Sequence, residues 1–401
     1  MTFGNDTRGS ATRVLVLGSG VIGLTCAIAI LESNQSSLQP KRDVWIWTEH
    51  MPLNTTSVVA GAIWGPYHVE PQDKCDRWAM ESVPIFDQIC NEEENARGNG
   101  HKGSQSTLGT NTGVYRASGY VYERGEHQKP SWLPGNEQLF RYSRKNHQTS
   151  ENIEDNATSV LDNNDYIRNE FQSVYELDLP MIDMSIYLTY LEKRFYRAGG
   201  RGIIQRKLTH IDQVSQFERD TNQKFDMVVN CTGFGSRHLF NDRQVVADRG
   251  QLVLIRLPTD KPGVFGADAL RGRYYDAEPK PGNQPTYILP RANNIYICGG
   301  CSIVLSDEEM GDDSRPSNIC TDMSGDILKR CNQLVPHAHI LSTAQIVEHV
   351  AAWRPYRRGG VRLELSNEGT EKRPVIHCYG FGGAGVTLSW VCNGLFIVLG
   401  V

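Results

Sequence analysis

Three glycines near the N-terminus have the spacing of a motif that binds the phosphates of a dinucleotide. Gly18, Gly20 and Gly23 form a GxGxxG sequence, directly after the apolar residues 14–17 and before the helix-like apolar residues 24–31. In such a turn the first glycine permits a tight bend, the second lets the backbone approach a pyrophosphate, and the third lets helix and strand pack closely. The free N–H groups that begin the helix then face phosphate oxygens.

An acidic residue follows the next apolar segment, as the same motif requires. Glu49 ends the alternating residues 43–48 and lies 26 residues after Gly23, beyond the usual ~20 because the polar residues 33–42 lengthen the connection. A carboxylate at this place binds the ribose hydroxyls of a dinucleotide. The three features together favour a nucleotide site over a plain strand–turn–helix, but they leave NAD and FAD as alternatives.

A second segment with chemical potential lies near the C-terminus, where four arginines stand within nine residues: Arg354, Arg357, Arg358 and Arg362. A guanidinium binds a carboxylate through two parallel hydrogen bonds, so one or two of these arginines are candidate substrate anchors and the others are interpreted as surface charges. A second glycine-rich turn follows at residues 380–387, and a helix can begin at Leu388. Two glycine turns that each open a helix suggest one large cofactor held at both ends.

Composition limits the partners and the cell compartment. The chain has 401 residues, enough for two domains of ~150–200 residues. Its net charge of −5 and the lack of a long Lys/Arg block argue against a nucleic acid partner. Residues 1–13 are polar, and the apolar residues 395–401 are far fewer than the ~18 needed to cross a bilayer. We therefore expect a soluble, intracellular protein without a membrane segment.

The cysteines and histidines do not predict a metal site. Ten cysteines are spread along the chain, which is typical of reduced thiols rather than of a disulfide framework. Cys298 and Cys301 form a CxxC pair without a second pair at zinc spacing. His337 and His339 likewise have no third ligand nearby in the sequence, so we expect no metal.

The order of the remaining elements indicates a discontinuous nucleotide domain. A helix is predicted over residues 78–90, and the polar residues 91–113 are predicted to be an exposed, flexible loop. Residues 225–230 form a buried-strand pattern that returns to the first domain after this long excursion. Residues 50–67 are small and hydroxylated, which suits either close approach to a flat ligand or an ordinary polar loop.

Seven segments in this order resemble the D-amino-acid oxidase family of flavoproteins, and its fungal members most closely. They are VLVLGSGVIGL, AGAIWGPY, VVNCTG, RGQLVLI, TYILPR followed by ICGG, WRPYRRGGVRLE and HCYGFGGAGVTLSW. The match runs over residues 14–390, with gaps mainly at 91–165 and 258–284. The resemblance implies an α/β protein with a discontinuous Rossmann-type FAD-binding domain, residues 11–68, 178–247 and 345–401. A mixed-sheet substrate domain would comprise residues 69–177 and 248–344.

The resemblance also implies which residues bind FAD. The pyrophosphate would meet the turn of Gly18, Gly20, Val21, Ile22 and Gly23, the ribose would meet Glu49 and His50, and the pyrophosphate and ribityl chain would run along Thr55, Thr56 and Ser57. The isoalloxazine would lie beside Gly61, Ala62 and Ile63, the adenine side would meet Leu208, Thr232 and Gly233, and the flavin's pyrimidine end would meet Gly382, Gly383, Ala384, Gly385, Val386 and Thr387. A helix N-terminus at this last turn would stabilise negative charge on the reduced ring.

For the substrate, the resemblance assigns Arg354 to the α-carboxylate, the Tyr287 hydroxyl to the same carboxylate, and the Gly383 carbonyl to the α-amine. Tyr274 and Tyr275 are candidates for a second active-site tyrosine. The implied reaction is oxidative deamination of D-amino acids, neutral side chains being favoured, by hydride transfer to flavin N5. Oxygen then reoxidises the flavin, and the products are a 2-oxo acid, ammonia and hydrogen peroxide.

Other functions stay open on the sequence. A D-aspartate oxidase would need a further cation near the substrate side chain, for which Arg271 and Arg273 are candidates. A nicotinamide-dependent dehydrogenase and a non-catalytic nucleotide-binding protein are the alternatives from other classes. The family is commonly peroxisomal, whereas this chain ends at Leu399, Gly400 and Val401 without a Ser-Lys-Leu-like tripeptide, so the expectation is a peroxisomal or otherwise cytoplasmic protein. The resemblance also leaves a homodimer open.

Overall fold

The computed structural model describes residues 11–33, 41–97, 111–125, 129–145, 164–258, 270, 272–306, 319–366 and 373–391. Within them the strands are β1 Thr12–Leu17, β2 Arg42–Thr48, β3 Val114–Glu123, β4 Tyr142–Lys145, β5 Ser173–Ile182, β6 Gly202–Gln205, β7 Met227–Asn230, β8 Val245–Arg256, β9 Tyr274–Ala277, β10 Thr286–Pro290, β11 Ile295–Gly299, β12 Ile303–Val304, β13 Gln345–Arg357, β14 Arg362–Ser366 and β15 Val375–Tyr379. The helices are α1 Val21–Glu32, α2 Gln72–Arg97, α3 Asp165–Glu170, α4 Met184–Arg197, α5 Asp212–Thr221, α6 Ser236–Leu239, α7 Thr321–Leu334 and α8 Ile340–Thr343.

The first sheet has the strand order β14-β15-β7-β1-β2-β6. The five strands from β15 to β6 are parallel, and only β14 runs antiparallel at the edge. Strand β1 is central, and its residues 14–17 are almost completely buried, as expected of an apolar strand covered on both faces. The chain leaves β1 for β2 on one side and later adds β7 on the other. The carboxyl end of β1 is therefore the switch point at which sheets of this kind bind ligands.

Helix α1 is buried nearly all round, with ten of its twelve residues inaccessible. It packs against β2 and α4, so both of its faces meet protein. This burial explains why the segment is apolar throughout rather than amphipathic. The N-terminus of α1 is consequently fixed at the carboxyl end of β1, where the GxGxxG turn lies.

The second sheet has the strand order β12-β8-β11-β10-β9-β3-β5-β4, and β13 also pairs with β8. Its strands alternate between two cores. In β9, Tyr274 packs into the large core that includes α1 and α2, whereas Tyr275 packs into a smaller core with α7. The face that carries Tyr274 points toward the first sheet, so any site between the sheets is lined by every second residue of these strands.

The buried strand predicted over residues 225–230 is present as β7, whereas the predictions for residues 78–113 are wrong in part. The predicted helix 78–90 lies inside α2, which continues to Arg97, so the prediction of a loop over residues 91–97 is wrong. The Glu and Arg residues there are polar, yet together with Ala96 they favour helix, and polarity alone does not end a helix. Residues 98–110 lie outside the described part of the chain.

The helix predicted to begin at Leu388 is also not observed. Residues Gly382–Ala384 form a short 3₁₀ helix, and residues 385–391 continue as turns. Residues 392–401 lie outside the described part of the chain. Among the described helices, none has the length and apolar character needed to cross a lipid bilayer.

Strand β13 moves one of the expected domain boundaries. Residues 345–357 were assigned to the FAD-binding domain, but they pair with β8 along almost its whole length. The first sheet resumes only at Arg362. The arginine and proline content of residues 353–358 conceals the strand at the sequence level, because Pro is rare in central strands. Arg354 is therefore presented by the second sheet rather than by a loop of the first domain.

Candidate active site

A cavity of about 610 Å³ lies between the two sheets, within the range of about 300–1,000 Å³ typical of small-molecule sites. Helix α1 contributes Val21 and Ile22 to the cavity lining, and Cys231 comes from the segment directly after β7. The second sheet contributes Tyr287 and Arg354. The C-terminal glycine turn and most of segment 56–67 complete the wall. The arrangement brings the two ends of the chain together at one ligand-sized space.

The GxGxxG turn is built so that only glycine fits. Gly18 has φ +100°, and a Cβ there would lie 2.5 Å from the carbonyl oxygen of Cys231. A Cβ on Gly23 would lie 1.9 Å from the carbonyl oxygen of Gly18. The backbone N–H of Val21 donates to Ser57 Oγ at 3.0 Å, and a Cβ on Gly20 would lie 3.0 Å from the same oxygen. This tight cradle at a helix N-terminus fits the pyrophosphate of a dinucleotide such as FAD.

Segment 60–67 connects the cradle to the second sheet. The Trp64 N–H donates to the carbonyl of Pro180 on β5, and the Ile182 N–H donates to the carbonyl of Ala62. Ala62 itself has φ +52°, a left-handed conformation that costs free energy in a non-glycine residue and persists only where the surroundings enforce it. The segment is thus held as a rigid shelf beside the cavity, as close contact with a flat ring requires.

The C-terminal glycine turn is fastened to this shelf. Thr387 Oγ1 donates to the carbonyl of Gly65 at 2.9 Å and accepts from its N–H at 3.0 Å. A Cβ on Gly382 would lie 2.3 Å from the carbonyl oxygen of His68, and a Cβ on Gly383 would lie 2.6 Å from the Tyr67 ring. The two segments therefore approach each other as closely as backbone allows, and together they enclose one end of the cavity.

Arg354 is held in place by a buried carboxylate. Arg354 Nη1 lies 3.1 Å from Oδ2 of Asp248, its direct neighbour across the β8–β13 pair, and donates to the carbonyl of Cys301 at 3.0 Å. Asp248 is fully buried, and Ser302 Oγ donates to its Oδ1 at 2.9 Å. A Cβ on Gly250 would lie 2.7 Å from Arg354 Nη2, so the glycine makes room for the guanidinium.

The charge of Asp248 is stabilised despite its burial. Burial by itself raises the pKa of this carboxyl, but His68, the Arg354 charge and Ser302 together hold the pKa below its usual value. His68 Nδ1 lies 3.3 Å from Asp248 Oδ2. Asp248 is therefore an anion that fixes one edge of the Arg354 guanidinium.

Tyr287 lies beside Arg354 with its hydroxyl protonated. Burial raises the pKa of Tyr287 to about 12, against the opposing charge of Arg354. Its ring leans over Gly299 on β11, where a Cβ would lie 2.1 Å from the ring. A Cβ on Gly61 would lie 3.6 Å from the Tyr287 hydroxyl. A protonated phenol and a guanidinium on the same wall are the donors that a carboxylate accepts from.

The prediction of Tyr275 as an active-site residue is wrong, and the Tyr274 hydroxyl is already engaged in a hydrogen bond within the protein. Tyr275 points into the smaller core, on the face of β9 opposite the cavity, because successive strand residues alternate sides. Tyr274 lines the cavity, but its hydroxyl is buried and donates to the carbonyl of Leu177 at 2.8 Å.

Tyr67, which no sequence motif singles out as a site residue, is better placed to serve as a second tyrosine. Tyr67 lines the cavity against Gly383. Burial raises its pKa, whereas the Arg354 charge lowers it. Its position at the end of the AGAIWGPY segment was the only sequence signal for it.

Two of the arginines near Arg354 are engaged with partners inside the protein. Arg357 Nε is paired with Asp242 at 2.8 Å, and Arg362 Nη1 donates to the Tyr379 hydroxyl at 3.0 Å. Arg273 forms an ion pair with Glu176 and does not line the cavity. Arg271 lies outside the described part of the chain. Of the four clustered arginines, Arg354 alone belongs to the cavity lining in the part of the chain that the structure describes.

The predicted cofactor residues fall into two groups. Those on the cavity wall are Val21, Ile22, Thr56, Ser57, Gly61, Ala62, Ile63, Gly233, Gly382, Gly383, Gly385, Val386 and Thr387. Those away from it are Gly18, Gly20, Gly23, Glu49, His50, Thr55, Leu208, Thr232 and Ala384. Glu49 lies 2.8 Å from Lys207 Nζ, and Thr232 Oγ1 donates to Asn230. The roles of both groups in binding FAD stay predictions.

Comparison with known proteins agrees with this geometry. Residues 13–395 match the model of the FAD dependent oxidoreductase family (DAO). The chain is 30% identical to a D-amino-acid oxidase of Streptomyces coelicolor, covering 94% of this chain and 93% of that protein. It is 26% identical to a D-aspartate oxidase of Homo sapiens, with 94% and 91% covered.

A solved structure shares the fold. The glycine oxidase of Geobacillus kaustophilus superimposes with a TM-score of 0.65 at 16% identity, over 97% of this chain and 95% of that chain. At this identity the likeness concerns the fold alone. The glycine cradle, the cavity between two sheets and the match over nearly the whole chain show that the protein belongs to the FAD-dependent oxidoreductase family.

Proposed function

We propose that this protein oxidises D-α-amino acids to 2-oxo acids and ammonia, with oxygen as electron acceptor and hydrogen peroxide as the other product. The observation that carries the proposal is the convergence of Arg354 and Tyr287 on the cavity wall, next to the shelf and the C-terminal glycine turn. A cation and a protonated phenol side by side are suited to an α-carboxylate. The D-amino-acid oxidase relatives support the same substrate class.

The residues of the chain act by binding and orientation. Arg354 and Tyr287 bind the α-carboxylate, and the Gly383 carbonyl accepts a hydrogen bond from the α-amine. Fixing both groups leaves one orientation for the Cα–H bond, so only one enantiomer presents its hydrogen to the shelf at residues 61–63. FAD, when bound, supplies the hydride acceptor and passes the electrons to oxygen. The imino acid that leaves is hydrolysed by water.

D-Amino acids with acidic side chains are the less favoured substrates. A D-aspartate oxidase needs a second cation near the substrate side chain. Arg273 is occupied by Glu176, and the described lining contains the carboxylates of Glu123, Asp276 and Glu278 with Arg354 as its cation. An added carboxylate would meet like charge, which supports the exclusion of D-aspartate.

Anaerobic reduction of the purified holoenzyme tests the proposal. D-Alanine should bleach the visible flavin absorbance, L-alanine should leave it unchanged, and oxygen should restore it with release of one equivalent of peroxide. A flavin that no D-amino acid reduces would contradict the proposal, and so would a stronger response to L-alanine. Bleaching by D-aspartate in preference to D-alanine would favour the D-aspartate oxidase instead.

A further inference from the structure

We propose that Asp276 makes the site select D-amino acids with a cationic side chain, such as D-lysine or D-arginine, over neutral ones of the same length. The inference rests on the proposed oxidation of D-amino acids and names the side-chain class of the substrate. It replaces the sequence-based expectation of neutral side chains.

The strand register brings Asp276 to the substrate end of the cavity. On the antiparallel pair of β9 and β10, Asp276 stands directly opposite Tyr287. Directly opposite residues project from the same face of a sheet, so both side chains face the cavity, and both belong to its lining. The Tyr287 ring leans the other way, over Gly299, which leaves space on the Asp276 side.

The charge of Asp276 also acts on two tyrosines of the same wall. Tyr287 and Tyr67 have pKa values raised first by burial and lowered by Arg354, and the Asp276 charge adds to the rise of both. The two tyrosines thus lie within electrostatic reach of the cation at one end and of the carboxylate at the other. A ligand whose α-carboxylate meets Arg354 has Asp276 within reach of its side chain.

Asp276, which is partly buried and lines the cavity, differs from the buried carboxylates in having no cationic partner among the described residues. Asp248 is paired with Arg354, Asp242 with Arg357, and Asp178 with Arg141 at 2.6 Å. For Asp276, burial raises the pKa to about 6, and the backbone N–H of Ala277 is the one opposing contribution. A carboxylate buried without a counter-ion is costly to keep charged, so a cation entering the cavity gains from pairing with it.

The sign of the surrounding charge supports the same class of ligand. Three of the four charged side chains on the described lining are carboxylates, Glu123, Asp276 and Glu278, and Arg354 is committed to the α-carboxylate. Glu278 is already engaged, because its Oε2 accepts from the backbone N–H of Arg124 at 2.7 Å. Of the two remaining carboxylates, Asp276 is the one that stands directly opposite Tyr287, so we assign it to an ammonium or guanidinium group of the substrate.

The test compares D-lysine with D-2-aminoheptanoate, which has the same number of side-chain heavy atoms and no charge. At about pH 8 we expect kcat/KM of the holoenzyme to favour D-lysine by about 10-fold or more, as a charge-assisted hydrogen bond provides. Asp276→Asn should bring this ratio close to unity. Glu278→Gln removes a neighbouring charge instead and should keep most of the preference.

The outcomes separate this inference from the proposed function. A wild-type ratio near or below unity, an unchanged ratio in Asp276→Asn, or an equal loss in Glu278→Gln would each overturn the role of Asp276 while D-alanine is still oxidised. Failure of every D-amino acid, D-alanine included, to reduce the flavin would overturn the proposed function. If Asp276→Asn does not fold, the wild-type ratio measured at about pH 5 and about pH 8 serves instead, since it should fall when the carboxyl is protonated.

Discussion

At the residue scale, the site depends on how one guanidinium is held. Asp248, with Ser302 and His68 around it, neutralises part of the Arg354 charge and fixes its orientation before any substrate arrives. A preoriented anchor loses less conformational entropy when it binds a carboxylate. Arg354 and Asp248 are therefore expected to respond differently to substitution.

Removing the anchor should weaken substrate binding strongly. We expect Arg354→Leu to raise KM for D-alanine by about 10²-fold or more, because removal of one partner of a buried, hydrogen-bonded charge pair costs roughly 2–5 kcal/mol. Steady-state kinetics by peroxide release measure this. Arg358→Gln is the matched control, since Arg358 is exposed on the following turn and should leave KM unchanged. An unaltered KM in Arg354→Leu would show that another group binds the carboxylate.

Substitution of Asp248, which positions Arg354, should affect KM more than kcat. Asp248→Asn keeps the shape but removes the charge, so Arg354 is less firmly oriented, and we expect KM to rise about 10-fold with a much smaller change in kcat. A fall in kcat at constant KM would contradict a positioning role. Ser302→Ala, which removes one hydrogen bond to Asp248, should shift KM in the same direction by a smaller factor.

At the element scale, the two glycine turns act together although they are distant in sequence. The first lies between β1 and α1, and the second follows β15. In the sheet, β15 is separated from β1 by the single strand β7. Segment 56–67, which includes the shelf, joins them, since Ser57 accepts a hydrogen bond from Val21 at the first turn and Gly65 is hydrogen-bonded to Thr387 of the second. At the closest contacts of each turn there is no space for a side chain larger than that of glycine. Replacement of one of these glycines by alanine should therefore weaken the binding of the cofactor.

A methyl group at Gly23 should therefore release the cofactor. The Cβ of Gly23→Ala would lie 1.9 Å from the Gly18 carbonyl oxygen, which forces the turn open. We expect purified Gly23→Ala to carry far less flavin per protein, measured as the ratio of visible to ultraviolet absorbance. Gly202→Ala in β6 of the same sheet meets nothing within 4 Å and should retain the wild-type ratio. Full occupancy in Gly23→Ala would contradict the packing argument.

At the scale of the whole molecule, the site exists only where two sheets meet. The first sheet supplies the phosphate cradle, and the second supplies Arg354, Tyr287 and Asp276 from three different strands. A charge buried at this junction should affect the stability of the entire fold as well as the selection of substrate.

The pH dependence of stability should report the charge on Asp276. Its folded-state pKa of about 6 lies above the unfolded value of about 3.9. The folded state therefore holds this proton more tightly, and stability falls as pH rises from about 4 to about 6. Asp276→Asn should match the wild-type Tm near pH 4 and exceed it near pH 8, as measured by thermal unfolding. Equal Tm differences at both pH values would show that the carboxyl is not strained by burial.

Other titratable or charged groups face the Asp276 carboxyl, and their titration would also change the pH dependence of stability. They are Tyr274 of β9 itself, Tyr287 of β10, Glu123 of β3, Glu278, Tyr67 and Arg354 of β13. The pKa values of the three tyrosines are raised, first of all by burial. Their hydroxyls therefore stay protonated over this range, and the transition near pH 6 is expected to belong to Asp276.

The sequence by itself determined the parts that depend on local pattern. Gly18, Gly20 and Gly23 specify a phosphate turn because strand, bend and helix are adjacent in the chain, and the resemblance singled out Arg354 and Tyr287 through short segments that surround them. The tertiary structure decided what depends on strand pairing. Register placed Asp276 opposite Tyr287, Asp248 opposite Arg354, and Tyr275 on the far side of the sheet. Asp248 and Arg354 lie 106 residues apart in the chain, and the connection between β9 and β10 does not by its sequence fix which residues stand opposite each other. A single-residue shift would invert each face, so no local pattern could have predicted these positions.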